Sequence, residues 1–527
     1  MQKEAIGINA TNTATGMSAM DFFGAHVKGA FVVFRYFDPF ADEVALVGGF
    51  CGWSEGVRMD KDAFGVWTAR LALAQCPAGS AYKYKVKADG IERYITDPYC
   101  EKTDGEPFHN SVFVRADGYV WGDGAFLESA LATYGEGYEG RPMHVYELSL
   151  GAWSRGYLGK GATYESVARE LAVYSKQMGY THVLITDVFA RRVDLERGEG
   201  AIAYYAPDSA LGDTYAFRKF VDIMHKAGVG VITDCHFGLY TDVYSRNELC
   251  LGVALYWMSN YHIDGIRLTV ADERECEIAQ SVARGLREAR GDAMVIVAGA
   301  KETLDGCICF EECLLDGFFR GDFEHRDARG LCESVDADSI CSVIGAYRTG
   351  ALEGDEWRSA AGARALTACL MTAPCKKATV MGCELGSYAS VWGQDVDWSL
   401  LDSRRNAELQ LCYADLGEMY LSEPSLWSAG AVVTSCEEKK GVISFERSFG
   451  DTRLCILVNL SVNVYEGFAL RLTRAGVYDE IFNSDKACYG GSGVTCGEVT
   501  AENCGDSACA YVRVPPLAVS VFKLRVQ

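Results

Sequence analysis

Apolar and polar residues alternate in short runs through the first part of the chain, from about residue 30. The runs are rich in β-branched and aromatic residues, and Gly, Asp and Pro residues separate them. They lie at Phe31–Phe34, Glu43–Val47, Val66–Leu71 and Tyr82–Val86. This pattern predicts an all-β sandwich, which we assign to residues 21–120, whereas the small and polar residues 1–20 are predicted to be irregular.

The spacing of apolar residues changes at about residue 143. Short apolar runs typical of buried strands then alternate with segments of helical spacing. Strands are predicted at 145–150, 181–185, 229–234, 265–268 and 294–297, and helices at 164–178, 216–227, 251–261 and 278–290. Strand–helix alternation at this interval predicts a parallel sheet, and a (β/α)8 barrel over residues 121–430 is its natural closure.

Helical spacing ends near residue 430, and short strands return. We therefore predict a C-terminal β-sandwich domain over residues 431–527. The predicted fold class is α/β, with a TIM barrel between two all-β domains. A chain of 527 residues is long enough for about three to four domains.

Composition narrows the set of partners. Hydrophobic residues make up 49% of the chain and charged residues 23%, which is ordinary for a globular protein. The net charge is −22, whereas nucleic acids and anionic membranes bind positive surfaces. We therefore expect neither as a partner, and a neutral sugar remains compatible.

The cysteines and the N-terminus indicate a reducing compartment. The 21 cysteines follow no regular spacing, and the close group Cys307, Cys309 and Cys313 lacks a second Cys/His pair at zinc-finger spacing. We interpret the cysteines as reduced core residues, and expect no metal and no cofactor. Residues 1–7 lack the apolar segment of a signal peptide, and no run could span a bilayer. A soluble, cytoplasmic protein is predicted.

Short segments spread in order over nearly the whole chain carry a resemblance to one family. They are Phe50–Trp53, Gly65–Trp67, Tyr82–Lys85, Met143–Trp153, Tyr204–Pro207, Tyr261–Arg267, Pro374–Lys377, Met381–Glu384, Asn483–Asp485 and Tyr489–Gly493. Together they resemble glycogen (1,4-α-glucan) branching enzymes of the α-amylase superfamily of glycoside hydrolases. The resemblance implies a carbohydrate-binding module, then a catalytic barrel, then a C-terminal β-domain.

The catalytic positions depart from that family. Retaining glycosyl transfer needs two carboxyl groups about 5 Å apart, one as nucleophile and one as acid/base. The resemblance places the nucleophilic aspartate at Thr269 and the acid/base glutamate at Gly299. A threonine hydroxyl without an adjacent base is a poor nucleophile and cannot act as a carboxylate leaving group. Losing proton transfer alone costs about 10²–10⁴-fold, so the loss of both groups predicts essentially no activity.

Two further positions implied by the resemblance also differ. The segment that binds the transition state falls in residues 333–339, where Asp336 or Asp338 could stand in but no histidine is present. The tyrosine that stacks under the reactive sugar falls near Glu199, which is a candidate replacement carboxylate in the pocket.

Asp234 and Arg267 are the charged positions that the resemblance retains. The histidine expected after Asp234 falls on Leu239, with His236 nearby. Arg267 either positions a sugar or forms a structural ion pair with Asp234, and some acid must lie near it because a buried unpaired charge is costly. The segment between Asp234 and Arg267 has room for one helix, but not for the extra lobe that walls the family's cleft.

Four other residues are candidates for binding sugar. Trp53 and Trp67 are either a stacking platform for pyranose rings or part of the sandwich core, and the sequence leaves both open. Lys83 and Tyr205 are candidates because they lie in segments that resemble the family.

The sequence supports two main hypotheses. In the first, the chain is a catalytically inactive relative of branching enzymes that binds α-glucan, or an enzyme of glycogen metabolism, as a scaffold or regulator. In the second, it is an active branching enzyme or amylolytic relative with displaced carboxylates. A third hypothesis is new chemistry in the old barrel.

Overall fold

The N-terminal part of the chain folds into two antiparallel sheets. The computed structural model describes residues 11–12, 17–115, 118–159, 161–194, 198–235, 246–312, 339–342, 356–387, 394–427 and 430–525. The first elements are β1 (Thr11–Asn12), β2 (Met17–Ser18), α1 (Ala19–Phe22), β3 (Gly24–Lys28), β4 (Phe31–Phe37), β5 (Glu43–Gly48), β6 (Val57–Arg58), β7 (Asp60–Lys61), β8 (Val66–Ala72), β9 (Ala81–Ala88), β10 (Ile91–Ile95), β11 (Ser111–Val112) and α2 (Gly124–Tyr134). The sheet orders are β3-β4-β8-β7 and β10-β9-β5-β6, with β11 also on β9. Alternate residues such as Val32, Phe34 and Leu46 fill the core of the sandwich, as predicted.

Eight parallel strands close into the predicted barrel. They are β12 (His144–Leu148), β13 (His182–Ile185), β16 (Gly230–Asp234), β17 (Gly265–Thr269), β18 (Met294–Ala298), β19 (Ile308–Glu312), β20 (Ser339–Ser342) and β21 (Lys376–Val380), and β21 pairs with β12. Alternate side chains such as Val145, Ile232 and Ile296 pack together inside it. By the same alternation, Glu147, Asp234 and Arg267 also face the interior.

Helices connect the barrel strands. They are α3 (Leu150–Leu158), α4 (Tyr164–Gln177), α5 (Thr214–Lys226), α6 (Arg246–Tyr261), α7 (Glu273–Ala289), α8 (Glu356–Thr372) and, after β21, α9 (Arg404–Ser422). The helix predicted at 251–261 is confirmed as α6, which starts earlier. It is the described part of the short connection between Asp234 and Gly265. No helix within the described ranges is long and apolar enough to cross a membrane.

Two elements after the first barrel strands differ from the prediction. The strand predicted over 145–150 ends at Leu148, because the Ser149 hydroxyl accepts a hydrogen bond from the Ala152 amide and so caps α3. An antiparallel hairpin, β14 (Phe189–Asp194) and β15 (Gly198–Pro207), follows β13 and was not predicted.

His225 links three elements at the amino-terminal end of the barrel. Its Nδ1 lies 2.9 Å from an Asp123 oxygen, just before α2, and its Nε2 lies 2.9 Å from an Asp264 oxygen, just before β17. Burial lowers the pKa of His225, but the carboxylates of Asp264 and Asp123 outweigh burial and raise it to about 9. The imidazolium therefore holds two buried carboxylates together.

The C-terminal part is a β-domain, as predicted. Its strands are β22 (Val432–Glu437), β23 (Val442–Phe449), β24 (Thr452–Asn459), β25 (Tyr465–Leu472), β26 (Gly476–Asn483), β27 (Glu498–Cys504), β28 (Ser507–Val514) and β29 (Ala518–Leu524). They are ordered β22-β23-β24-β29-β26-β27-β28-β25. Leu457, Phe468 and Phe522 contribute to the core of this domain.

Candidate functional site

A buried ion cluster of Glu147, Asp234 and Arg267 lies inside the barrel. The Arg267 guanidinium donates to both Asp234 oxygens, at 3.1 and 2.8 Å, and its Nη1 lies 2.8 Å from Glu147 Oε1. Each of the three residues is at most 8% exposed. Burial lowers the pKa of Arg267, but the carboxylates of Glu147 and Asp234 outweigh burial and hold it above its ordinary value. The predicted pair of Arg267 with Asp234 is present, and Glu147 is a third member that sequence reasoning missed.

The charged groups of Glu147, Asp234 and Arg267 form ion pairs with one another, so they are not available to bind a substrate. Arg267 also packs against the ring of Phe310, with its guanidinium carbon 5.5 Å from the ring centre.

The sequence does contain a signal for Glu147. It is a single acid in an otherwise apolar strand, two residues after the interior residue Val145. Such an acid needs a buried cation, and Arg267 lies on a strand of the same barrel.

Thr269 and Gly299 lie at the ends of two adjacent strands. Thr269 is the exposed last residue of β17 and pairs with Ala298, the last residue of β18. Gly299 follows directly, and the Val270 amide donates to the Ala298 carbonyl over 2.9 Å. The structure therefore brings together, at the carboxyl ends of the strands, the two positions at which the resemblance implies nucleophile and acid/base.

The backbone at Gly299 has no room for a side chain. Its φ is +85°, and a Cβ added there would lie 2.4 Å from the carbonyl oxygen of Val270. L-amino acids disfavour this left-handed region, and the colliding atom is backbone that cannot rotate away. A glutamate therefore cannot occupy this position unless the segment that follows β17 and carries Val270 moves.

Asp187 and Glu384, two other carboxylates near the strand ends, are engaged in structural contacts. Asp187 accepts hydrogen bonds from the Ser149 hydroxyl at 2.6 Å and the Leu150 amide at 2.9 Å, so it fixes the start of α3. Glu384 follows β21 and accepts from the hydroxyls of Tyr146 and Tyr174 at 2.6 and 2.7 Å. Burial raises the pKa of Glu384, which is shielded from solvent.

Trp53 and Trp67, the two candidate sugar-stacking residues of the N-terminal module, lie in different environments: Trp67 is buried and Trp53 is exposed. Trp67 is 5% exposed, its indole donates to the Asp38 carbonyl at 2.9 Å, and it belongs to the sandwich core. Trp53 is 39% exposed, in a turn with φ +59°. Its amide donates to Gly48, whose partner across the sheet is Tyr82, the neighbour of Lys83. Trp53 and Lys83 therefore share one region of the module.

Lys83 holds another segment of this region in place. Its ammonium donates to the carbonyl of Phe108 over 2.5 Å, and the side chain of Phe108 is 67% exposed. Trp53 and Phe108 are thus two solvent-facing aromatic residues tied to neighbouring positions of the module.

Tyr205 and Glu199, two further predicted residues, both lie on β15, outside the N-terminal module. Tyr205 is buried, with its ring stacked on Tyr99 at 5.4 Å and edge-on to Tyr256 at 4.9 Å. Glu199 lies on β15, where its backbone pairs with Val193. Asp336, like Asp338, lies outside the described residues. No group of three His, Cys, Asp or Glu side chains in the described ranges is arranged to hold a metal ion.

Comparison with known proteins agrees with this architecture. The model of carbohydrate-binding module 48, the isoamylase N-terminal domain, matches residues 22–100, and that of the α-amylase C-terminal all-β domain matches residues 433–525. The 1,4-α-glucan branching enzyme of Methylococcus capsulatus is 26% identical over 92% of this chain and 79% of its own length. That of Dechloromonas aromatica is 25% identical over 97% of this chain and 98% of its own length.

This chain is similar over nearly its whole length to the branching enzymes of the α-amylase superfamily. Solved structures with the same fold include the group B Streptococcus pullulanase SAP in complex with maltotetraose, with a TM-score of 0.69, 14% identity, and coverage of 96% of this chain and 88% of that one. The catalytic module of the glycogen-degrading pneumococcal virulence factor SpuA has a TM-score of 0.71 at 13% identity and covers 95% of this chain and 97% of its own.

Similarity to these enzymes directs attention to the carboxyl ends of the barrel strands. The barrel and both β-domains occupy the places that the resemblance implied. At the ends of β17 and β18, where the resemblance implies two carboxyl groups, the chain has Thr269 and Gly299.

Proposed function

We propose that this protein binds α-glucan without catalysing branching or hydrolysis, as a pseudoenzyme that serves glycogen metabolism as a scaffold or regulator in the cytoplasm. The observation that carries the proposal is the backbone at Gly299, where a Cβ would meet the Val270 carbonyl oxygen at 2.4 Å. Retaining transfer requires a carboxyl group on each side of the scissile bond. Position 299 excludes one of them sterically, and Thr269 cannot replace the other.

The other charged groups support the same proposal. Asp234 and Glu147 are both bound to Arg267, Asp187 is bound to the start of α3, and Glu384 is buried against two tyrosines. A general acid must reach the glycosidic oxygen, and a nucleophile must reach the anomeric carbon. Each of these carboxylates already has a structural partner that it would have to leave.

Glucan binding is assigned to the N-terminal module, residues 21–120, through Trp53, with the buried Lys83 holding the neighbouring Phe108 segment in place. An exposed indole face can pack against the apolar face of a pyranose, and two of the structural neighbours are described in complex with maltotetraose. Trp67 and Tyr205 contribute through the core that supports this surface and the barrel.

The test of inactivity uses purified protein incubated with amylose, followed by iodine colour and by reducing ends. The branching enzyme of Dechloromonas aromatica is the positive control. We expect neither colour loss nor new reducing ends above the blank. Branch formation within about three orders of magnitude of the control would overturn the proposal, because loss of proton transfer alone typically costs about 10²–10⁴-fold.

The test of binding is co-sedimentation with glycogen. We expect wild-type protein in the pellet and a weaker interaction for Trp53→Ala. The matched control is Phe64→Ala, which removes a 67% exposed ring from a turn of the same module. Equal loss in both variants, or no sedimentation of the wild type, would contradict glucan binding by this surface.

A further inference from the structure

A cavity of about 720 Å³ opens at the amino-terminal end of the barrel. Its walls are the loop 136–141, which precedes β12, the loop 303–307, which precedes β19, Arg287 near the end of α7, and Phe449 of the C-terminal domain. Amino-terminal strand ends share one face of a parallel barrel, so this cavity lies opposite Thr269 and Gly299. It is a cleft between two domains, within the size range of about 300–1,000 Å³ of ligand sites.

The loop that forms one wall is held rigidly. The buried ammonium of Lys376 donates to the carbonyl oxygens of Tyr138 and Arg141, the latter over 2.9 Å. The Arg141 guanidinium donates to the Thr133 carbonyl over 2.8 Å. A wall fixed in this way loses little conformational entropy when a ligand binds.

Arg287 is held in place at the edge of the cavity. Its guanidinium carbon lies 5.2 Å from the ring centre of Tyr138, and the Tyr138 hydroxyl is bound to the carbonyl of Ala293. Stacking on a fixed ring pre-positions a planar guanidinium, whose fork of N–H groups can donate to neighbouring oxygens.

The charges around the cavity select against anions. Arg141 and Arg287 are accompanied by Glu136, Glu139 and Asp305. A phosphate or polyanion would meet three carboxylates for two guanidiniums, so charge complementarity is poor. A neutral polyol can instead donate its hydroxyls to the carboxylates and accept from the guanidiniums.

Phe449 adds an apolar surface to these polar groups. It is the last residue of β23, at the turn into β24, and its side chain is 55% exposed. Leu304 and Ile308 form a buried apolar base. An exposed aromatic ring beside convergent hydrogen-bonding groups matches a sugar, which has both apolar ring faces and hydroxyl edges.

We propose that this cavity is a second α-glucan site, separate from the barrel mouth and from the Trp53 surface. The identity of the glucan rests on the proposed function, whereas the site itself rests on the cavity, its fixed walls and its mixed lining. Phe449 stacks on a sugar ring, and Arg287 with the carboxylates binds the hydroxyls.

The experiment titrates the full chain with maltoheptaose by calorimetry. The proteins are the wild type, Trp53→Ala, Phe449→Ala and the double variant, with Tyr511→Ala as a matched control because Tyr511 is a 77% exposed ring of the same domain outside the cavity. We expect Phe449→Ala to weaken binding about five- to tenfold in the Trp53→Ala background, as removal of an aromatic anchor does, and Tyr511→Ala to leave it unchanged. Thermal melting of each variant verifies folding.

Hydrogen exchange with and without maltoheptaose localises the site. Protection of residues 136–141 and 303–307 supports the cavity. Protection confined to the Trp53 region, with complete loss of binding in Trp53→Ala and no effect of Phe449→Ala, overturns the second site and leaves the proposed function intact. Absence of any binding by the wild type overturns both.

Discussion

Two single residues, Gly299 and Thr269, lie where the resemblance implies the catalytic groups of the barrel. At Gly299, where the resemblance implies the acid/base residue, the backbone conformation leaves no room for a side chain. Its neighbour across the strand ends, Thr269, is exposed and keeps a regular strand position. Under the proposed function, the two positions differ from what the resemblance implies in different ways: Thr269 in its chemistry alone, and Gly299 also in its backbone conformation.

We expect Gly299→Ala to destabilise the barrel. A residue with a side chain in the left-handed backbone conformation costs about 1–2 kcal/mol, and we expect the total loss to be larger than this. The collision with the Val270 oxygen should add about 1–3 kcal/mol, as overpacking does. The matched control is Gly228→Ala, since Gly228 has φ +76° but its Cβ would lie 3.8 Å from the nearest heavy atom. Urea unfolding measures both variants, and equal losses would show that position 299 can accept a side chain.

Arg267 makes a second residue-scale prediction. Arg267→Met leaves Glu147 and Asp234 buried without their cation, so we expect a loss of about 3–5 kcal/mol in the free energy of unfolding. The control is Arg155→Met, because Arg155 and Asp395 form an exposed pair at 2.7 Å and such pairs contribute about 0–1 kcal/mol. A change below 1 kcal/mol for Arg267→Met would contradict the structural role.

At the scale of elements, the barrel strands could be predicted from the periodicity of the sequence, but the exact start of a helix such as α3 could not. The barrel strands around Ile232 and Ile296 form continuous apolar runs, so their existence could be predicted. The start of α3 could not, because it depends on Asp187, a residue distant in the chain that binds Ser149 and the first amides of the helix. The Asp234–Arg267 pair was predictable from charge balance, whereas its extension to Glu147 required the barrel to be closed.

The contacts of His225, on α5, with Asp123 and Asp264 at the amino-terminal end of the barrel predict how the stability of the protein depends on pH. The pKa of His225 is raised to about 9, above its ordinary value of 6.5, and that of Asp264 is lowered to about 2. For Asp264, burial raises the pKa, but the charge of His225 outweighs burial. The stabilisation from His225 is therefore complete below pH 6.5 and is lost as the pH rises through about 9.

The measurement compares the melting temperatures of wild type and His225→Gln between pH 6 and pH 10. We expect a large difference at pH 6 that shrinks towards pH 10, because only the protonated imidazole attracts both carboxylates. A difference that stays constant over this range would mean that His225 contributes through packing alone.

At the scale of the whole molecule, two glucan sites on different domains would act together. A branched polymer can reach both the Trp53 surface and the Phe449 cavity, and the second contact then forms at high effective concentration. We expect glycogen to bind about 10²-fold or more tighter than maltoheptaose, since linkage adds about 10²–10⁴-fold without new contacts. Loss of either aromatic residue should reduce the ratio of the two affinities, as measured by competition.

The conformation at Gly299 also bears on how this protein can change over time. A single codon change from glycine to glutamate would place the new side chain against the Val270 carbonyl, so we expect that variant to be less stable. Restoring the nucleophile at Thr269 first would bring no benefit without its partner. Under the proposed function, a route to catalysis would therefore require the segment that carries Val270 to rearrange before either carboxylate is useful, which would act as an evolutionary ratchet against reactivation.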